Sequence, residues 1–137
     1  MKNRIITDSC IDINKEIFDD AEKMESVPFK IVIEDEEIID KNIDLDELRN
    51  KMKATKNKII TSCPSPHDFF EAFKKCKENF VVTISEKLSG SHNSALLAAE
   101  MFLEEVQDGF IHVFDSKTAT AGASLVTLKI KQRIEEK

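Results

Sequence analysis

Short apolar runs alternate along the chain with stretches in which apolar residues recur at helical spacing. The run at residues 80–84 is apolar almost throughout, which is typical of a central parallel strand covered on both faces. The acidic residues 34–37, followed by Ile38 and Ile39, indicate a hairpin. In all, five runs predict strands, at residues 4–7, 27–33, 58–61, 80–84 and 110–114.

Helical spacing and capping residues predict five helices. Asp44, with an acidic residue three positions later, is a good N-cap for a helix that should bury Leu45, Leu48 and Met52. Ser65 is followed by proline and by an acidic third residue, which marks a helix start. The predicted helices cover residues 15–24, residues 45 to about 54, a segment opened by Ser65, a segment opened by Ser91 or Ser94, and residues 125 to 137.

Strands that alternate with helical crossovers require mostly parallel pairing and right-handed connections. The pattern therefore predicts an α/β fold, a three-layer sandwich with a mostly parallel sheet. We expect residues 1–137 to form a single domain, since 137 residues suffice for one core and no repeat or low-complexity linker divides them.

Hydroxyl-rich segments directly follow four of the predicted strands. In a parallel sheet these turns leave from one edge, where hydroxyls and backbone N–H groups can bind an anion without a formal positive charge. We therefore predict a binding site for an anionic head group, in which Gly90 allows close backbone approach. The four segments are Thr7-Asp8-Ser9, residues 61–66, residues 85–91 and Asp115-Ser116.

Composition limits the partners. The net charge of −6 and the pI near 5.1 argue against a nucleic-acid surface, which needs concentrated positive charge. No apolar run approaches the roughly 18 residues of a membrane helix, and the start of the chain does not resemble a signal peptide. We expect a cytoplasmic protein without membrane insertion, with Cys10, Cys63 and Cys76 as reduced thiols.

Two other interpretations of these residues stay open. Single hydroxyls near helix starts are usually caps and turn residues. Asp8 and Asp115 both end strands and could hold Mg²⁺ in a kinase or phosphatase acting on a small polyol or phosphate, although turn-stabilising aspartates are more common.

The three histidines fall in no triad motif, so no nucleophilic catalyst is indicated. We expect His112, in mid-strand, to be a core residue, and His67 and His92 to lie on the surface near helix starts.

The same segments resemble the DegV family of bacterial fatty-acid-binding proteins. The resemblance covers the whole chain and rests on residues 6–9, Val27-Pro28, residues 61–66, residues 84–95 and Asp115-Ser116 with Gly122 following. It implies a carrier, not a catalyst, which presents a long-chain fatty acid to a fatty acid kinase and needs neither cofactor nor metal.

Carried over by motif, the carboxylate contacts would be Thr61, Ser62, Ser89, Gly90 and Ser91. Ser65 and Pro66 would mainly shape the loop, and the possible secondary contacts are Asp8, Ser9 and Ser116. The family usually has Gln at the place of Cys63, and Thr followed by an aromatic at the place of Ser91-His92, so local contacts can differ.

The resemblance also implies that this chain corresponds to the amino-terminal half of a two-domain protein. An acyl chain stabilised by about 0.8 kcal/mol per buried CH₂ needs a closed apolar tunnel, so we expect the chain alone to bind fatty acid weakly. We also expect an uncovered apolar face that favours self-association. A further alternative is a half-protein that only binds partner proteins through this face.

Overall fold

The computed structural model describes residues 3–12 and 23–136. Within these ranges the chain forms seven strands and four helices. In chain order they are β1 (Asn3–Asp8), β2 (Met24–Val27), β3 (Lys30–Ile33), β4 (Glu36–Ile39), α1 (Leu45–Ala54), β5 (Ile60–Ser62), α2 (Pro66–Phe73), β6 (Glu78–Thr83), α3 (Ser91–Glu105), β7 (Phe110–Asp115) and α4 (Thr120–Glu135).

The main sheet is parallel and has the strand order β2-β1-β6-β7. Helices α2 and α3 cover one face, where Phe69, Phe73 and Phe102 are fully buried against Ile6 and Val81. Helix α4 covers the other face, on which Ala123 packs with Val82. The predicted three-layer α/β sandwich with a central β6 is confirmed.

A second, antiparallel sheet has the order β4-β3-β5 and was not predicted. The expected single strand at residues 27–33 is wrong, because Pro28 and Phe29 separate β2 in the main sheet from β3 in the small one. Proline has no N–H to donate to a sheet ladder, so it favours such a break. The predicted hairpin is confirmed as β3–β4, and Glu34 in its turn has a φ of 56°.

Two further boundaries differ from the predictions. Most of the helix expected at residues 15–24 lies outside the described residues, and its predicted end is wrong because Met24 opens β2. The strand expected at residues 58–61 is β5 (Ile60–Ser62), which pairs antiparallel with β3 and not within the parallel sheet.

Helix α1 has the predicted bounds, and the Asp44 side chain caps it by accepting the N–H groups of the second and third helical residues. The predicted burial of its apolar face is wrong. Leu45 is 59% exposed, Met52 is 43% exposed and Leu48 is half-buried. Cap residues set where a helix begins, but burial depends on which neighbours pack against it.

Two of the other helix starts lie where they were expected. Ser65 forms the expected capping box with Asp68, and α3 begins at Ser91. Helix α4 begins at Thr120, five residues earlier than predicted, and no side-chain cap marks its start. Thr120 has a φ of 49°, a costly conformation for a β-branched residue, and its N–H donates to the Cys10 carbonyl at 2.9 Å.

Candidate functional site

Three of the four hydroxyl-rich segments follow β1, β6 and β7, and so they meet at the carboxyl edge of the parallel sheet. The fourth follows β5 in the small sheet, so the expectation that parallel pairing brings it there is wrong. It nevertheless lies beside this edge, because a Cβ atom added to Gly90 would lie 3.4 Å from the Cys63 sulfur. The 61–66 and 85–91 segments are therefore neighbours.

The Asp8 side chain is fully buried beneath this edge. Its Oδ2 atom accepts the Ile84 N–H at 2.9 Å and the Ser91 hydroxyl at 2.7 Å, and its Oδ1 atom accepts the Cys10 N–H at 3.2 Å. Burial raises the pKa of the Asp8 carboxyl above its usual range, and the three hydrogen bonds oppose this shift. The side chain thus joins the ends of β1 and β6 to the start of α3.

Ser9 connects the two sheets. Its hydroxyl donates to Asp40 Oδ2 at 2.7 Å and accepts the Phe29 N–H at 2.9 Å, so the end of β1 is bonded to residues that flank the small sheet. Asp40 was not predicted from the sequence, since it is 31 positions from Ser9 and no local motif marks the pair. Ser9 therefore has a structural role at the edge of the site.

Four predicted contact residues carry hydrogen-bond donors with no acceptor among the described residues. They are the hydroxyls of Thr61, Ser62 and Ser89 and the backbone N–H of Gly90. Ser91 differs, because it is fully buried and its single hydroxyl proton goes to Asp8. The available donors thus lie on β5 and on the 85–91 loop, and Ser91 holds that loop.

Thr61 and Ser62 are neighbours on β5, and successive side chains of a strand point to opposite faces of its sheet. In the β3–β5 register, Thr61 lies opposite Ile31 and Ser62 lies opposite Lys30. Cys63, the first residue after β5, approaches Gly90. Thr61 and Ser62 therefore lie on opposite faces of β5, and the end of this strand borders the 85–91 loop.

Asp115 and Ser116 stabilise turns. Asp115 Oδ1 accepts the N–H groups of Glu86 at 3.2 Å and Lys117 at 2.9 Å, while the Ser116 hydroxyl donates to the Thr118 carbonyl at 3.2 Å. Across residues 3–12 and 23–136, no group of three or more acidic, histidine or cysteine side chains is placed to hold a metal ion. The arrangement matches turn-stabilising aspartates, and it offers no support for phosphoryl chemistry at Asp8 and Asp115.

Two of the three histidines differ from their predicted environments. His92 was expected on the surface but is buried, and its Nδ1 lies 3.0 Å from the Thr83 hydroxyl beneath the start of α3. His112 was expected in the core but is exposed on β7, where its ring packs edge-on against Phe114. His67 is exposed in the first turn of α2, as predicted.

The Cys10 thiol is half-buried beside Asp8 and Asp40. Burial, followed by the negative charges of those two carboxylates, raises its pKa to about 11. The thiol is therefore protonated at neutral pH and is a poor nucleophile.

Exposed apolar side chains adjoin the uncommitted donors. Leu88, next to Ser89, is 67% exposed, and Ile60, which shares a face of β5 with Ser62, is 54% exposed. Polar donors bordered by apolar surface suit an amphipathic ligand with an anionic head and an apolar tail.

Among the described residues, no helix combines the length and the apolar character that a membrane span requires.

Comparison with known proteins finds relatives that align with almost the whole chain. The family model for the uncharacterised proteins of the DegV family matches residues 2–137. A DegV domain-containing protein of Streptococcus gordonii is 40% identical over 134 residues, which is 96% of this chain and 47% of the relative.

Two solved structures are also closely similar. A DegV family protein of Ruminococcus gnavus, solved with vaccenic acid, aligns with a TM-score of 0.93 and 35% identity over 99% of this chain and 49% of that chain. The Fatty Acid Kinase (Fak) B3 protein of Streptococcus pneumoniae, loaded with linoleic acid, aligns with a TM-score of 0.89, 35% identity and the same coverage.

The chain spans about half the length of the relatives it matches. Within that half, the residues matched by the family model include the 61–66 and 85–91 segments of the candidate site. On this evidence the chain belongs to the DegV family.

Proposed function

We propose that this chain binds the carboxylate of a long-chain fatty acid where its two sheets meet. The observation that carries the proposal is the set of uncommitted donors on Thr61, Ser62, Ser89 and Gly90. A carboxylate accepts about four hydrogen bonds, and these donors satisfy it without a formal positive charge. The fatty acids in the similar proteins of Ruminococcus gnavus and Streptococcus pneumoniae support this ligand class.

Within this site we assign the direct contacts to Thr61, Ser89 and Gly90, with Ser62 secondary because it lies on the opposite face of β5. Ser91 contributes through its bond to Asp8 and not by donating its own proton to the ligand. Asp8, Ser9 and Ser116 then support the loops.

We further propose a carrier and not a catalyst. The described site holds donors for a head group, and its buried histidine, His92, and buried carboxylate, Asp8, are engaged in hydrogen bonds within the fold. The likeness to a protein of a fatty acid kinase system suggests that the carrier presents its fatty acid to such a kinase. A cytoplasmic location stays a prediction from the sequence.

The chain alone should bind fatty acid weakly, because the donors are at an exposed rim. Each CH₂ left in water forgoes about 0.8 kcal/mol, so an unenclosed tail adds little affinity. Eleven large apolar side chains of the described residues are exposed, which favours self-association through an uncovered face. Sedimentation over a range of concentrations would test this, and a strict monomer would count against it.

Titration with sodium octanoate, followed by amide NMR, tests the head-group site. Octanoate stays monomeric at the concentrations that weak binding requires. We expect shifts at Gly90 and around Thr61, and a loss of affinity of about tenfold in Thr61→Val, because one hydrogen bond to a charged group is removed. Ser62→Ala should lose less, and Ser26→Ala is a matched control, since that hydroxyl is exposed on the edge strand β2 and is none of the proposed donors.

A competing location for the ligand is the groove between α4 and the parallel sheet. It has a volume of about 670 Å³ and is lined in part by Phe80, Phe114, Ile130 and Ile134. Octanoate shifts confined to this groove, with unchanged affinity in Thr61→Val, would refute the proposed head-group site.

A further inference from the structure

The buried carboxylate of Asp8 holds both ends of the loop that carries the proposed donors. Its Oδ2 atom accepts the N–H of Ile84, the first residue after β6, at 2.9 Å. The same atom accepts the hydroxyl of Ser91, the first residue of α3, at 2.7 Å. One oxygen atom therefore fixes the beginning and the end of the segment that contains Ser89 and Gly90.

The end of this loop is also held by its neighbours, because the Ser89 N–H donates to the Ser85 carbonyl at 3.2 Å and His92, next to Ser91, is hydrogen-bonded to β6. Helix α3 begins after Gly90, which has no side chain, and no side-chain hydrogen bond caps the helix. Ser91 is linked to the donor Ser89, because the Ser91 N–H donates to the Ser89 Oγ at 3.2 Å. A displacement of Ser91 would therefore reorient the Ser89 hydroxyl and the Gly90 N–H together.

We propose that Asp8 is the positioning residue of the head-group site, acting through Ser91 to aim the Ser89 hydroxyl and the Gly90 N–H at the ligand carboxylate. This inference rests on the proposed function. Asp8 itself touches no ligand, since its side chain is fully buried and all of its described partners are donors from the protein.

The geometry indicates which property of Asp8 matters. The Oδ2 atom accepts both hydrogen bonds from the loop, those of the Ile84 N–H and the Ser91 hydroxyl. A neutral side chain with one acceptor oxygen at the same place can therefore hold the loop. Asp8→Asn supplies such an oxygen, and its amide group then faces only the Cys10 N–H. Asp8→Ala supplies none, and it leaves buried donors without acceptors.

Head-group preference separates positioning from a general loss of stability. The measured quantity is the ratio of the affinity for octanoate to that for 1-octanol, each titrated into the 137-residue chain and followed by NMR. The two ligands share an apolar tail, so damage to the fold lowers the affinity for both. Donors that point in the wrong direction lower the affinity for octanoate alone.

We expect Ser91→Ala to lower this ratio about tenfold, as for the loss of one well-placed hydrogen bond to a charged group. Asp8→Ala should lower it at least as much where it folds, whereas Asp8→Asn and Ser91→Thr should stay near the wild-type ratio. Thr127→Val is the matched control, because it removes a fully buried hydroxyl that bonds within α4 on the other face of the sheet.

An unchanged ratio in Ser91→Ala, or an equal loss of both ligands, would overturn the positioning role while leaving the proposed function intact. A wild-type chain that binds octanoate no better than 1-octanol would instead refute the head-group site itself, and this inference with it.

Discussion

Replacing Ser9 by alanine should loosen the small sheet from the parallel sheet. The Ser9 hydroxyl makes two bonds across this junction, one donated to the Asp40 carboxylate at 2.7 Å and one accepted from the Phe29 N–H at 2.9 Å. The variant keeps the backbone bond from the Ser9 N–H to the Val27 carbonyl at 3.1 Å, so the end of β1 stays paired with β2.

The size of the effect follows from these two bonds. A buried hydrogen bond to a charged group contributes about 1.5–3 kcal/mol, and an N–H without an acceptor costs about 1–3 kcal/mol when buried. Both sites here are only half-buried, so water compensates part of each loss. We expect the free energy of unfolding to fall by about 2 kcal/mol.

Urea unfolding measures the total loss in the free energy of unfolding, and amide hydrogen exchange shows which strands are destabilised. Exchange should accelerate in β3 (Lys30–Ile33), while β6 (Glu78–Thr83) should change only as much as the global stability requires. Ser26→Ala is the control, since it removes an exposed hydroxyl from the neighbouring strand β2. A change below about 0.5 kcal/mol, or equal acceleration in β3 and β6, would show that Ser9 does not join the two sheets.

Three further predictions concern protonation and capping. Because burial raises the pKa of Asp8, the stability that this side chain contributes is complete below about pH 4 and is lost as the pH rises through the raised pKa. Urea unfolding at a series of pH values should show this dependence in the wild type and not in Asp8→Asn. The rate of Cys10 alkylation, followed by mass spectrometry, should rise with pH and reach half of its maximum near pH 11. Asp40→Asn should lower this midpoint, and an unchanged midpoint would exclude an influence of Asp40 on the thiol. Ser65→Ala should cost about 1 kcal/mol in urea unfolding and Ser65→Gly only a few tenths, whereas an unchanged stability in Ser65→Ala would argue against the capping bonds.

The features predicted correctly are those whose physical cause is local. The capping box at Ser65 needs only residues within one helical turn, and it starts α2 where expected. The apolar run of β6 lies at the centre of the sheet because both of its faces are covered.

The errors arise where distant residues decide. A three-residue strand such as β5 has the same local pattern in a parallel or an antiparallel sheet, and only its register with β3 settles the choice. The burial of His92 depends on Thr83, which contributes a hydroxyl from another element. Leu45 and Met52 have the spacing of a buried face, but in the described residues no element covers them.

The motifs locate the candidate site, but they do not show how its two segments are brought together. The segments around Thr61 and Ser89 were predicted together on the premise of one parallel sheet, yet they come from different sheets. What brings them together is a strand end, because Asp8 bonds to the 84–91 loop while the adjacent Ser9 bonds to the flank of the small sheet. Asp8 is the last residue of β1 and Ser9 directly follows it, so one strand end is bonded both to the loop after β6 and to the flank of the small sheet. The spacing between the two halves of the site is therefore set at β1, and changes there should alter head-group binding without touching any donor.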